Sequence, residues 1–104
     1  MSKKFVSTMR KGFHMTFENG LTVSVQWGAG NYCDNHFPKN RDFTFSKDAE
    51  SDTAEAAVFD SHGKIIDPRQ FFGYEINSDG EVAGWLDPSQ VVELLANVRD
   101  WLNI

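Results

Sequence analysis

Between Phe13 and Trp27 apolar and polar residues alternate on both sides of Asn19-Gly20, and that alternation admits one strand register. Phe13, Met15 and Phe17 form one apolar set; Leu21, Val23, Val25 and Trp27 form the other. A two-residue Asn-Gly turn is the commonest hairpin connection. Here it would pair Glu18 with Leu21 and Phe17 with Thr22. Directly paired residues share a face of the sheet, so the two apolar sets would then point opposite ways. A three-residue loop, Glu18-Asn19-Gly20, instead pairs Phe17 with Leu21, Met15 with Val23 and Phe13 with Val25. All the apolar side chains then lie on one face. The expectation is a type I turn closed by Gly20 in the left-handed conformation, as a G1 bulge.

The same grammar recurs twice. Ser61-His62-Gly63 separates residues 54–60 from 64–66, and a three-residue loop pairs Asp60 with Lys64 and Val58 with Ile66. Ser78-Asp79-Gly80 separates 71–77 from 81–86, pairing Ile76 with Val82 and Tyr74 with Gly84, where the tyrosine ring fills the gap left by the glycine. Residues 3–9 add a further strand through Phe5, Ser7 and Met9.

The C-terminal region, about residues 88–102, reads as a helix. Asp87 is a good N-cap, Pro88 suits the first helical position, and Gln90 completes a capping-box spacing. Val91, Leu94, Leu95, Val98 and Leu102 form an apolar stripe, with Glu93, Asn97 and Asp100 opposite. Such a stripe covers the apolar face of a sheet. The expected class is α+β: a single domain over residues 1–104, with an antiparallel β-meander of five to seven strands. Three of its hairpins carry three-residue G1-bulge loops, and one C-terminal helix packs on one face.

Composition bounds the function classes. At 104 residues, 40% hydrophobic, the chain has room for one core and is not of disordered composition. The longest apolar run, residues 56–59, is far too short to span a membrane, and no apolar stretch follows Lys3 and Lys4 as in a signal peptide. One cysteine, Cys33, excludes an intrachain disulfide and suits a reducing cytoplasm. Charge is unevenly placed. Residues 1–11 hold four basic groups and no acid, whereas the remainder holds six basic and fifteen acidic groups. An acidic body is a poor fit to a phosphate backbone, so no nucleic-acid partner is expected.

Residues 28–52 show no sustained period and form a long aromatic-rich loop. Loops of this length are often functional. Trp27, Tyr32, Phe37, Phe43 and Phe45 place five of the fourteen aromatic residues in or beside it. Aromatic residues are enriched in interfaces. The candidate binding residues are therefore Trp27, Gly28, Gly30, Asn31, Tyr32, Cys33, His36, Phe37, Phe43 and Phe45. Two sharper motifs fail. Gly28-Ala29-Gly30-Asn31-Tyr32-Cys33 opens like a dinucleotide fingerprint but has Cys33 where the third glycine belongs. Asp48, Glu50 and Asp52 have the opening spacing of a calcium loop but lack its glycine and closing glutamate. Cys33 and His36 supply two metal ligands where three or four are needed, so neither metal nor cofactor is expected.

The runs 12–33 and 54–60, and Gly84-Trp85-Leu86-Asp87-Pro88 before the helix, resemble a group of small uncharacterised proteins encoded by bacteriophages and prophages. The resemblance implies a small accessory protein acting in the host cytoplasm by binding a host or defence protein; it transfers no site residue. With no complete catalytic set, the leading expectation is a non-enzymatic binding protein. Its partner is a protein or a second copy of the chain, with no membrane contact. Two alternatives are a nucleotide-like small ligand held by the 28–36 loop and a cysteine-dependent enzyme with Cys33 as nucleophile.

Overall fold

The computed structural model describes residues 3–8, 11–36 and 50–102. The first hairpin, β2 (Gly12–Thr16) and β3 (Thr22–Gln26), has the register expected from its alternation. Phe13 pairs with Val25 and Met15 with Val23, and the Phe17 amide donates to the Leu21 carbonyl at 2.9 Å. Gly20 sits at φ +90°, where a side chain would clash. Strand β1 (Lys4–Ser7) lies antiparallel along β2 with Phe5 opposite Met15; Met9 falls outside the described residues.

Strand β4 (Ala54–Phe59) is the hub, pairing with β3 on one side and with two strands on the other. Val58 pairs with Val23 and Ala56 with Val25, so the apolar face continues across the sheet. The short β5 (Ile65–Ile66) returns through the 61–63 loop, pairing Val58 with Ile66 as expected, with Gly63 at φ +78°. Among the described residues the sheet is a six-stranded antiparallel one, with β6 (Val82–Leu86) also paired to β4.

The third expected hairpin does not form. Residues 71–77 make no strand, and Ile76–Val82 and Tyr74–Gly84 are not pairs; the one bridge is Ser78 to Ala83. The physical cause lies upstream. Asp67 caps a 3₁₀ turn over Pro68–Phe71, which takes this stretch out of the extended conformation and sets Phe71 and Phe72 in the core. Asn97 donates to the Phe71 carbonyl at 2.7 Å and holds this segment under the helix.

Helix α1 (Pro88–Arg99) starts as expected. The Asp87 side chain accepts from the Gln90 amide at 2.8 Å, and Gln90 accepts from the Asp87 amide at 2.9 Å. Leu94 and Val98 are fully buried in a core with Leu21, Val23, Val58 and Leu86. The helix ends at Arg99 rather than near 102, and Leu102 is 79% exposed. The end is set from outside: Asn19, in the first hairpin loop, donates to the carbonyls of Val98, Arg99 and Trp101 at 2.8–3.3 Å. Trp101 packs edge-on against Phe71 at 4.7 Å, while Leu102, expected in the stripe, lies outside the helix.

Candidate functional site

Strand β6 carries one residue more than β4 between its two pairing points, Ala83 with Ala56 and Leu86 with Ala54. The extra residue forms a bulge at Gly84-Trp85. Trp85 takes φ +50°, the only non-glycine residue with positive φ among those described. A bulky side chain there is a true outlier, costing about 1–3 kcal/mol, and such strain clusters at functional sites.

Tyr32 of the 28–36 loop and Asn77 hold the bulge. The Trp85 amide donates to the Tyr32 carbonyl at 2.9 Å, and the Gly84 amide donates to the Asn77 carbonyl at 2.8 Å. Gly84 is glycine because Tyr32 lies on it: a Cβ there would stand 3.0 Å from the Tyr32 Cβ. The gap expected to take Tyr74 is thus filled by Tyr32. Tyr74 instead packs on Phe72 and donates its hydroxyl to Glu93 at 2.6 Å.

The result is a triangle of rings. Tyr32 stacks on His36 at 5.4 Å and on Trp85 at 5.9 Å, and His36 lies 6.2 Å from Trp85. A pair such as Tyr32–Trp85 adds about 0.5–1.5 kcal/mol beyond burial. Even so, Tyr32 and Trp85 stay 42% and 44% exposed. Beside them opens a cleft of about 280 Å³, walled by Tyr32, Gly84, Trp85, Val82, Asn77 and the Ser78-Asp79 turn. The Asp79 carboxylate accepts from the amides of Glu81 and Val82, which hold its pKa below the usual carboxylate value.

The loop's own backbone is consumed internally. The Gly28 amide donates to the Asn31 side chain, Gly30 to the His36 carbonyl, Asn31 to Gly28, and Cys33 to Asn31. The Tyr32 amide donates to Glu55 at 2.7 Å, so the anion at this turn is the protein's own carboxylate. The His36 Nδ1 lies 2.8 Å from the Asn31 carbonyl, which can only accept, so Nδ1 carries a proton. Cys33 is 1% exposed and its thiol donates to the Gly28 carbonyl at 3.8 Å. Burial pushes the thiol above its ordinary pKa, outweighing hydrogen bonds from the Asn35 amide and Ser51. These are the reverse of the conditions that activate a cysteine.

Of the residues singled out from sequence, the structure brings Tyr32 and His36 together, with Asn31 and Gly30 bracing them. It sets Trp27 apart: that ring packs edge-on against Phe13 and lines a separate apolar hollow beside the start of α1. Gly28 and Cys33 are buried beneath the loop. Phe37, Phe43 and Phe45 lie outside the described residues. Trp85, Asn77 and Asp79 were missed. A lone glycine inside a strand pattern signals a bulge, and Gly84 beside a tryptophan carries that signal. Among the described residues no group of three or more His, Cys, Asp or Glu could hold a metal, and no helix is long and apolar enough to cross a membrane. No protein-family model, curated protein or solved structure matches the chain.

Proposed function

We propose that the chain is a non-enzymatic protein-binding module whose contact surface centres on Tyr32 and Trp85. The observation that carries this is the half-exposed ring pair held on a strained backbone. Left-handed tryptophan is costly, and here the strained residue presents a half-exposed ring at the surface. Tryptophan and tyrosine are the residues that most often dominate binding energy at protein interfaces. The reading is favoured over a nucleotide site in the 28–36 loop because the amides such a site would need are engaged within the chain. In the setting that the phage resemblance implies, the partner is a host or defence protein.

The test is capture from bacterial lysate with tagged wild type, Trp85→Ala and Val92→Ala. Val92 is an exposed apolar residue on the helix that does not line the Trp85 cleft. Wild type and Val92→Ala should retain one defined protein, and Trp85→Ala should bind it about 30-fold more weakly, the loss expected of a hot-spot residue. Equal binding by wild type and Trp85→Ala would sink the reading.

A further inference from the structure

We infer that the cleft beside Trp85 receives an arginine side chain from a basic segment of the partner protein. The inference rests on the protein-binding reading above and names the chemistry of the contact. Three observations converge. The cleft has an aromatic wall, Tyr32 and Trp85, exposed enough for a cation to stack on it. Its turn carries Asp79, whose Oδ1 is bound by two backbone amides, so the carboxylate is ionised and fixed in place. Its volume, about 280 Å³, has room for one side chain.

Charge complementarity sets the sign of the partner. Beyond residue 11 the chain carries fifteen acidic and six basic groups, so a basic segment is drawn to this body. Among the described residues, Arg69 is the cation beside this turn, and it attracts Asp79 through space. Its guanidinium lies against Gly80 but is held by Asp67 at 2.6 Å, in a fork of three contacts. Arginine is preferred to lysine because a planar guanidinium can stack on a ring while its edge donates to a carboxylate.

The experiment titrates an arginine-containing hexapeptide, and the same peptide with citrulline, into ¹⁵N-labelled full-length protein. Binding is read at the Trp85 indole N–H and the backbone amides of residues 77–85. The arginine peptide should shift these signals, and the citrulline peptide should bind about tenfold more weakly because it lacks the charge. Asp79→Asn keeps the Oδ1 acceptor that the turn needs, so it should fold normally and still lose about tenfold in affinity. Asp60→Asn removes a carboxylate from a comparable turn that does not line the cleft, and should bind as wild type does. Equal affinity for the two peptides, shifts confined to other residues, or no shift at millimolar peptide would overturn the inference. Should Trp85→Ala still lose the captured partner after such a result, the protein-binding reading stands and only the arginine falls. Should the peptide bind as expected while Trp85→Ala captures like wild type, it is the protein-binding reading that falls.

Discussion

At residues 18–20 and again at 78–80 a polar pair precedes a glycine, and both glycines take left-handed conformations, at φ +90° and +97°. The first loop closes a regular hairpin and reaches beyond it: Asn19 accepts from the Leu21 amide and donates to three carbonyls at the end of α1. The hydrogen bonds of the second are local. Ser78 donates to the Val82 carbonyl and accepts from the Gly80 amide, while Asp79 accepts from Glu81 and Val82. One loop is thereby part of the frame, joining sheet to helix. The other forms a self-sufficient turn whose outer side lines the cleft. A glycine-closed turn settles its own geometry; what flanks it decides whether it builds a hairpin or a site.

The sharpest break in this comparison is Asn19→Ala. It removes the bonds to three carbonyls at the end of α1 and to the Leu21 amide, and leaves the part-buried Val98 carbonyl with backbone donors alone, at a cost of about 2 kcal/mol. In urea the midpoint should fall by about 1 M, taking a slope of about 2 kcal/mol/M. Ser78→Ala should cost about half as much, since both its bonds lie within one turn. Equal losses would show that the first loop is no more structural than the second.

Gly84→Ala asks whether the bulge depends on the close approach of Tyr32. The added methyl would stand 3.0 Å from the Tyr32 Cβ and 3.4 Å from its carbonyl oxygen, so the 28–36 loop must move. The expected cost is about 1–2 kcal/mol, with a shifted Trp85 indole N–H signal. An unchanged indole signal would mean that the ring triangle does not rest on this contact.

The two regions also differ in how far they can be read from residues alone. In the first hairpin the alternation of Phe13, Met15, Phe17, Leu21, Val23 and Val25 leaves one register, because any slip would put apolar groups in water. The capping box at Asp87 and Gln90 is equally local. The third hairpin misleads because Phe71 and Phe72 are drawn under the helix, a tertiary demand whose one local mark is the Asp67-Pro68 start of the 3₁₀ turn. Half of the site is legible: Tyr32 and His36 stand in the aromatic loop. Trp85 lies 53 positions beyond Tyr32, and only the pairing of β6 with β4 brings it there.

Trp85 itself separates strain from contact. Replacement by glycine removes the left-handed penalty, whereas alanine retains it while losing the same ring. Trp85→Gly should therefore be more stable than Trp85→Ala by about 1 kcal/mol, and neither should capture the partner. Thermal melts of the two variants decide it. If alanine is the more stable, the backbone at 85 is not strained.

The smallest expected effect uses pH to set the two loops against each other. The first loop's side chain is a neutral amide, Asn19; the second loop's is a carboxylate, Asp79, whose pKa is held low by the amides of Glu81 and Val82. A carboxylate with a folded pKa below its unfolded value of about 3.9 stabilises the fold at higher pH. That contribution is lost as pH falls through the folded value, and below both values it is gone. Asp79 is fully solvent-exposed, so its effect is small and screened by salt. In urea titrations the gap between wild type and Asp79→Asn should be open at pH 7, begin to narrow below about pH 4 and close once the pH lies below the folded value. Asn19 bonds only backbone groups, so the gap between wild type and Asn19→Ala should persist across the range. A pH-independent gap for Asp79→Asn would place that side chain's role in turn geometry alone and remove the electrostatic half of the contrast.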